Sequence, residues 1–207
     1  MIMKTILIYS GGMDSTTLLY KLLADGDEVR AISFDYGQRH KKELDCAAQI
    51  CKKLNVPHES IDVTNLKSLM RGSALTDRIE VPEGHYEDES MKQTVVPNRN
   101  MIFISLAIAA AVSAKFGRVA IAVHAGDHAI YPDCRPEFIE KIDATARIAN
   151  YEAIEVHAPF LHISKGEIAK IGRTLSVPYE LTWTCYKGLD EPCSKCGACV
   201  ERAEALG

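Results

Sequence analysis

The stretch TILIYSGGMDSTT, residues 5–17, decides the fold of this chain. Residues 5–9 are apolar or β-branched and predict a buried strand. Residues 14–26 carry leucines at helical spacing and predict a helix that ends at Gly26. Gly11 and Gly12 separate the two elements. A strand, a tight turn and a helix in this order predict the first unit of an α/β fold.

The same alternation continues along the chain. Further strands are predicted over 28–36, 58–63 and 119–125 and within 154–160, and further helices over 41–54, 100–116, 138–149 and 165–175. This order favours right-handed crossovers, and therefore an open, mainly parallel twisted sheet with helices on both faces.

Two segments stand apart from this pattern. Residues 71–96 are polar, contain Pro and Gly, and have no clear period, which is typical of a lid, a substrate loop or a disordered segment. Residues 181–207 contain four closely spaced cysteines. We expect one domain over 1–180, with 71–96 as its lid or substrate loop, and a small metal-binding segment over 181–207 that packs on it.

Composition limits the possible partners and the compartment. The chain has 207 residues and a formal net charge of −4, so it has no overall basic surface of the kind that long nucleic acids require. The N-terminus has no signal-peptide pattern, and the longest apolar run, 101–114, is too short for a membrane span and predicts a buried helix. We therefore expect a cytoplasmic protein that binds neither nucleic acid nor membrane directly.

The glycine turn has the features of an anion site. In open parallel sheets, ligands lie beyond the carboxyl ends of the strands, where SGGMDS is predicted to lie. Glycines allow a close backbone approach, and the first amides of the helix point at the anion. Ser10, Ser15 and Thr16 can add hydroxyl groups. Asp14 would repel a phosphate unless Mg²⁺ lies between them or its carboxylate caps the helix; a plain strand-to-helix turn is the alternative reading.

SGGMDS resembles the pyrophosphate loop of the N-type ATP pyrophosphatases, a superfamily with a Rossmann-like fold. The resemblance implies cleavage of ATP between the α and β phosphates, with ATP and Mg²⁺ as cofactors. It implies ATP-binding roles for Tyr9, Ser10, Gly11, Gly12, Met13, Asp14, Ser15, Thr16, Thr17, Leu18, Leu19, Phe34 and Arg39.

Further segments narrow the resemblance to the 7-cyano-7-deazaguanine synthase (QueC) family, over residues 4 to about 204. They are FDYGQRH (34–40), VPNRN (96–100), YPDCRPEF (131–138), and TWTCYKG (182–188) with CSKCGAC (193–199). The chain departs from the family at PNRN, where PGRN is more familiar, and at AGDHAIYPDCR, which replaces ETDFSGYPDCR. The second departure bears on substrate contacts near 125–130.

The resemblance implies a reaction and a set of roles. ATP would activate 7-carboxy-7-deazaguanine as an acyl adenylate, ammonia would give the amide, and a second ATP would lead to the nitrile. Asp14, Arg99 and Lys165 are the candidate catalytic residues, and Asp127, Tyr131, Asp133 and Arg135 the candidate substrate contacts. For Lys165 and the Pro-Asp pair, a helix terminus and a turn are the plainer readings. Free ammonia and a homodimer are also implied.

Other side chains have open roles. His40, His124 and His128 could shuttle protons or be structural. Cys134 could act as a nucleophile, although a small buried cysteine is the plainer reading.

The late cysteines are spaced C-x7-C-x2-C-x2-C, as Cys185, Cys193, Cys196 and Cys199. Overlapping CxxC pairs allow four thiolates to converge on one ion, and a site of this kind is closed and structural. The pattern favours one Zn²⁺, with an iron–sulfur cluster as the alternative.

Two other functions stay open. A tRNA-thiolating transferase would need an RNA-binding domain, a basic face or a catalytic cysteine pair. A zinc-dependent nucleotide sensor would bind ATP without turnover.

Overall fold

The computed structural model describes residues 2–207, so the first residue of the predicted domain 1–180 lies outside the described part. The strands are β1 (Lys4–Ile8), β2 (Glu28–Asp35), β3 (His58–Asp62), β4 (Arg118–Ala120) and β5 (Glu155–His157). The helices are α1 (Met13–Ala24), α2 (Lys42–Leu54), α3 (Arg99–Ala114), α4 (Pro136–Ile148), α5 (Lys165–Thr174) and α6 (Gly197–Leu206). Short 3₁₀ helices span Thr64–Leu69, Glu89–Thr94, Ala125–Ala129, Pro132–Cys134 and Tyr179–Leu181.

The five strands form one parallel sheet in the order β3-β2-β1-β4-β5, with β1 at its centre. Successive residues of β1 are buried on opposite faces: Ile6 joins the core beneath α3 and α4, and Leu7 joins the core beneath α1, α2 and α5. Burial on both faces accounts for the continuous apolar run of the strand. The predicted α/β fold is confirmed, with helices on both faces of an open parallel sheet.

One of the predicted strands is shorter in the structure. β4 ends at Ala120, although the apolar pattern continues to 125, whereas β5 (Glu155–His157) lies within 154–160 as predicted. One ladder bond persists beyond β4, since the Ile121 N–H donates to His157 O at 3.0 Å. After that point the chain leaves the sheet and forms the 3₁₀ helix Ala125–Ala129. Ile121 and Val123 are buried in the core that contains α3, so their pattern predicted burial correctly and the length of β4 incorrectly.

The prediction of a buried helix over 101–114 is only partly correct, because one side of α3 is exposed. Phe103, Ile104 and Ala107 face the sheet and are buried. Met101, Leu106 and Val112 are 45%, 37% and 44% exposed on the other side. The helix covers one face of the sheet and nothing in the described chain covers its outer side, so composition alone overestimated its burial.

Residues 71–96 pack against the body of the domain. Leu75 and Met91 are fully buried, and the Ala74 N–H donates to Gln93 O at 2.7 Å. Widely spaced apolar residues therefore anchor a segment that has no periodic pattern. Its role as a lid or substrate loop stays a prediction.

The C-terminal segment, residues 181–207, packs on the same domain. Its helix α6 lies against α5. Trp183, Cys185 and Cys199 belong to the core that contains α3. The Trp183 N–H donates to Gly11 O at 3.1 Å, which joins the segment directly to the glycine turn. Among residues 2–207, no helix has both the length and the apolar character needed to cross a bilayer.

Candidate active site and metal centre

The glycine loop, residues 10–15, begins where β1 ends and runs into α1. Gly12 precedes the helix, and its N–H donates to Ser10 Oγ at 3.2 Å. Ser10 Oγ and Ser15 Oγ lie 3.0 Å apart. The first amides of a helix have no acceptor within the helix. The loop therefore presents hydroxyl groups and helix-terminal N–H groups at the carboxyl edge of the sheet, which is the arrangement expected of an anion site.

Gly11 permits the close packing of α2 against this loop. Its φ is +78°, and a Cβ atom there would lie 2.2 Å from Glu43 O and 2.8 Å from Ala47 N. Both are backbone atoms of α2, which cannot move aside independently. The loop conformation thus requires glycine at position 11 for backbone geometry and for space.

A cavity of about 210 Å³ opens beside the loop. One end of the cavity, which we call the loop end, is lined by Ser10, Gly12, Asp14 and Ser15. Arg99 and several aromatic side chains line the adjoining part, which we call the tyrosine end and which reaches Lys165 at Tyr86: Tyr36, Tyr86, Tyr131 and Tyr186. The cavity therefore joins an anion-binding surface to an aromatic one.

Lys165 lies at the loop end between two carboxylates. Its Nζ is 3.2 Å from Asp14 Oδ2 and 2.6 Å from Glu201 Oε2. Burial alone would lower the pKa of Lys165, but Asp14 and Glu201 raise it above its ordinary value, so the side chain is a permanent cation. The imidazole of His124 is buried, with Nε2 3.7 Å from Asp127 Oδ1.

Arg99 begins α3 and carries the positive charge of the tyrosine end. Its guanidinium lies among Tyr36, Tyr131 and Tyr186. The Tyr131 hydroxyl lies 2.7 Å from Thr94 Oγ1, and the Tyr86 hydroxyl donates to Asp127 Oδ1 at 3.1 Å. An arginine held among phenol rings suits a planar anionic ligand, because guanidinium groups pair with carboxylates and aromatic faces stack on flat rings.

Most of the predicted site residues come together, but not all of them line the cavity. Those that do are Tyr9, Ser10, Gly12, Asp14, Ser15, Phe34, Arg99, Asp127, Tyr131 and Lys165. The side chains of Met13, Thr16, Thr17, Leu18 and Leu19 are buried in the core beneath α1. Gly11 acts through its backbone.

Three predicted ligand contacts lie elsewhere. The guanidinium of Arg39 donates to Asp77 O at 2.7 Å, which ties it to segment 71–96. Asp133 Oδ2 accepts from the Asn100 N–H at 2.9 Å, where it satisfies the start of α3. Arg135 Nε donates to His128 O at 2.9 Å on the surface. In this structure the three side chains support the site from outside, and direct ligand contacts by them stay predictions.

Several residues of the site were not among those predicted from the sequence: Tyr36, Glu43, Tyr86, Thr184, Tyr186 and Glu201. Tyr36 and Tyr186 lie within the quoted segments FDYGQRH and TWTCYKG, so the signal for them was present. Tyr86 comes from the aperiodic segment and Glu201 from α6, where no motif marks them.

The four late cysteines converge as predicted. The Sγ atoms of Cys185, Cys193, Cys196 and Cys199 all lie within 4.8 Å of one another. Four thiolates around one tetrahedral ion at about 2.3 Å would be separated by roughly 3.8 Å, so the cluster fits a metal after a small contraction. The Cys193 N–H points at Cys185 Sγ and the Cys196 N–H at Cys193 Sγ, at 3.4 and 3.3 Å. Such donors stabilise thiolates.

Comparison with known proteins identifies the family. A family profile described as "Queuosine biosynthesis protein QueC" matches residues 4–207. The chain belongs to the QueC family. It is 57% identical to the 7-cyano-7-deazaguanine synthase of Pseudoalteromonas translucida, across 100% of this chain and 94% of that one. It is 53% identical to the synthase of Methanoregula boonei, across 99% and 94%.

Solved structures extend the likeness to the fold. NH3-dependent NAD synthetase from Campylobacter jejuni, solved with a nitrate ion, has a TM-score of 0.52 at 15% identity, covering 86% of this chain and 66% of that one. NMN synthetase from Francisella tularensis has a TM-score of 0.51 at 13% identity, covering 92% and 70%. At this identity the likeness shows that this QueC family member shares their fold.

Substituting Gly11→Ala tests the loop geometry. Because the new methyl group would meet the backbone of α2, we expect a loss of at least ~2 kcal/mol in the free energy of unfolding. Nucleotide binding measured by calorimetry should weaken as well. Gly26→Ala is the matched control: its φ is +87° but nothing lies within 4 Å, so only backbone strain of about 1 kcal/mol is expected. Equal effects of the two substitutions would contradict the close-packing argument.

Glu43 gives a pH-dependent prediction. Burial raises the pKa of its carboxyl from 4.5 to about 7, although the Gln38 amide and Arg99 lower it. The folded chain therefore holds a proton that the unfolded chain releases, so stability falls as pH rises from about 4.5 to 7. Glu43→Gln should remove this loss and stabilise the protein by about 3 kcal/mol at pH 8, with little effect at pH 4.5.

Chemical denaturation of the two proteins across this pH range measures the difference. The Gln side chain can still accept the hydrogen bond from Gln38, which Glu43 now accepts at 3.2 Å. A stability difference between Glu43→Gln and wild type that does not change with pH would contradict the assignment.

Proposed function

We propose that this chain is an ATP-dependent 7-cyano-7-deazaguanine synthase that converts 7-carboxy-7-deazaguanine and ammonia into the nitrile. The observation that carries the proposal is the single cavity that joins the glycine loop and Lys165 to the tyrosine end. The full-length similarity to proteins of that name supports the substrate. The family supports ATP as the second substrate.

The first step is adenylation of the acid, in which a group bound at the tyrosine end reacts with ATP bound at the loop end. A carboxylate oxygen of the acid attacks the α-phosphorus of ATP, and the bond from that phosphorus to the bridging oxygen of the β-phosphate breaks. The amides and hydroxyl groups of the glycine loop bind the departing pyrophosphate, and Lys165 balances part of its charge. Adenylation makes the carboxylate oxygen a good leaving group, so the protein contributes mainly by positioning the reactants and stabilising charge.

The remaining steps follow the same chemistry. Ammonia attacks the acyl carbon and AMP leaves, which gives the amide. A second ATP then adenylates the amide oxygen with release of pyrophosphate. Departure of AMP with that oxygen, and of the two protons on nitrogen, leaves the nitrile. A loop that binds pyrophosphate favours AMP rather than ADP as the nucleotide product.

The tyrosine end is the proposed site for the flat deazaguanine ring. Tyr86 and Tyr131 have ring centroids 6.0 Å apart, and Tyr186 and His40 have centroids 5.5 Å apart. These rings supply stacking surfaces, and Arg99 supplies the positive charge that a carboxylate requires. This placement brings the carboxylate to the border of the loop end, where the α-phosphate of ATP would lie.

Mg²⁺ fits the loop end. Asp14 Oδ1 is buried and has no hydrogen-bond partner among the described residues. The second carboxylate nearby is that of Asp127: His124 Nε2 lies 3.9 Å from Asp14 Oδ2 and 3.7 Å from Asp127 Oδ1. Carboxylate oxygens are the ligands that Mg²⁺ prefers, usually together with substrate phosphates. When bound there, the ion would neutralise phosphate charge and so remove the repulsion between Asp14 and ATP.

The metal centre is proposed to hold one structural Zn²⁺, because four thiolates close the coordination shell. We also propose that the enzyme works in the cytoplasm, where ATP is available and thiols stay reduced. A homodimer would cover the exposed apolar side of α3. Free ammonia is the proposed nitrogen donor, and no direct contact with nucleic acid or membrane is proposed.

A tRNA-thiolating transferase is the alternative function. Such an enzyme would need an RNA-binding domain, a basic face or a reactive cysteine pair at the cavity. Cys134 is the cysteine that lines the cavity, and burial raises its thiol pKa well above the ordinary value, which disfavours the nucleophilic thiolate. The structure therefore gives this alternative no support beyond the shared fold.

Purified protein, 7-carboxy-7-deazaguanine, ATP, magnesium and ammonium should yield the nitrile, with two AMP formed for each nitrile, as measured by mass spectrometry. Lys165→Ala should lower the rate by about 10²–10³-fold, the range for removing one group that stabilises developing charge. Lys170→Ala, an exposed lysine of the same helix, is the control and should leave the rate unchanged. Absence of both amide and nitrile with wild-type protein would reject the proposed function.

The metal is identified separately. Elemental analysis should find one zinc per chain and the protein should be colourless, whereas a brown protein with iron and sulfide would establish the cluster instead. Cys193→Ser should reduce metal content and destabilise the C-terminal segment, since a structural zinc contributes on the order of 10 kcal/mol to folding in small domains.

A further inference from the structure

Helix α6 connects the metal centre to the cavity within one turn. Cys196 precedes the helix and Cys199 lies in its first turn, so two of the four clustered cysteines lie where the helix begins. Glu201 follows two residues later, and its carboxylate accepts from Lys165 Nζ at 2.6 Å. One short helix therefore carries both a candidate metal ligand and the carboxylate nearest to Lys165, which lies beside the glycine loop.

The contact between Glu201 and Lys165 is buried and specific. The side chains are 13% and 9% exposed. Asp14 Oδ2 lies on the other side of the ammonium group at 3.2 Å, and the Tyr86 ring lies 5.5 Å from it. Without Glu201, the ammonium group would have Asp14 as its one carboxylate partner within salt-bridge distance among the described residues. Glu201 therefore sets where the cation lies along the edge of the cavity.

A second connection runs from α6 to the glycine loop itself. Arg202 donates to Thr182 Oγ1 at 2.6 Å and to Thr184 Oγ1 at 3.1 Å. Trp183, between these two threonines, donates its backbone N–H to Gly11 O at 3.1 Å. Glu201 of α6 therefore contacts Lys165 directly. The next residue, Arg202, contacts the segment that is hydrogen-bonded to the glycine loop.

This arrangement needs the metal centre, because α6 has ten residues and a helix of that length is marginal in water. Packing against α5 helps to retain it, and cysteines bound to a metal would fix its first turn.

We propose that Glu201 is a positioning residue that holds Lys165 at the glycine loop, and that the metal centre supports adenylation by fixing Glu201 and the loop through α6. The inference rests on the proposed function, since it assigns a part of the same ATP site. It gives the four-cysteine cluster a role in ordering the ATP site, in addition to its contribution to folding.

Two other effects of Glu201 could be confused with positioning. If Glu201 merely repels phosphate, its removal would strengthen ATP binding. If it merely stabilises the fold, its removal would lower the melting temperature and leave the kinetic constants of the folded enzyme unchanged. Positioning predicts instead a lower kcat, or a higher KM for ATP, in a protein that is folded and fully metallated.

The experiment compares Glu201→Ala, Glu201→Gln and Glu204→Ala in the full chain. Glu204 lies on the same helix, is 61% exposed and faces His85, so it is the matched control. Metal content and melting temperature are measured first, followed by kcat and by KM for ATP and for the acid. We expect Glu201→Ala to lower kcat/KM for ATP by about 10–100-fold, the scale of a misplaced catalytic group, with the KM for the acid unchanged.

Glu201→Gln should recover part of this loss, because its amide oxygen can still accept from Lys165, and Glu204→Ala should match wild type. Full metal content in all three variants would support positioning. Wild-type kinetic constants for Glu201→Ala would overturn the positioning role. It would also be overturned if Glu201→Ala and Glu201→Gln changed the kinetic constants equally and both bound ATP more tightly than wild type. If Glu201→Ala fails to fold, Glu201→Gln decides: a loss of kcat/KM for ATP supports the proposal, and wild-type values refute it.

A readout independent of turnover uses Trp183, the one tryptophan of the chain. Its indole donates to Cys185 O at 3.0 Å and its backbone to Gly11 O, so its fluorescence reports on both the centre and the loop. Partial chelation should weaken ATP binding in proportion to the change in fluorescence. Unchanged ATP affinity in metal-depleted protein would contradict the proposal. Wild-type protein that yields no nitrile would reject the proposed function alone, since these binding measurements do not require turnover.

Discussion

The structure depends on one close backbone contact, that between Gly11 and helix α2. The carboxyl end of β1 has to turn sharply to present the helix-terminal amides of α1, and α2 has to pack behind that turn. A side chain at position 11 would meet the backbone of α2 at 2.2 Å. The Trp183 N–H then fixes Gly11 from the other side. Sheet, helix and C-terminal segment therefore meet at a single residue that has no side chain.

Charge around this turn is not balanced in the free protein. Asp14, Asp127 and Glu201 bring three carboxylates to the loop end, and Lys165 is the fixed cation among them. Buried pairs of this kind contribute little to stability when desolvation is included, and breaking one is costly. The raised pKa of Glu43 likewise indicates a destabilising carboxyl at the cavity. Both features are typical of sites where function takes precedence over stability.

Much of this could be predicted from the sequence, for identifiable reasons. Strand and helix periods, the glycine turn and the cysteine spacing are local signals, and the structure confirms the sheet and the convergence of the four cysteines. The pairing of Lys165 with Glu201 and the placement of Tyr86 depend on tertiary packing of segments without a period. Arg39 shows the converse, because its motif is adjacent to the site while its side chain turns away to hold residues 71–96.

The most direct test of the account is a crystal structure of the full chain with α,β-methylene-ATP, which cannot be cleaved between the α and β phosphates. The account predicts that the β- and γ-phosphate oxygens lie about 3 Å from the amides of the glycine loop. Lys165 should lie beside them, and the α-phosphate should face Arg99 and the tyrosine end. A triphosphate bound elsewhere, with no phosphate oxygen on the loop amides, would contradict it.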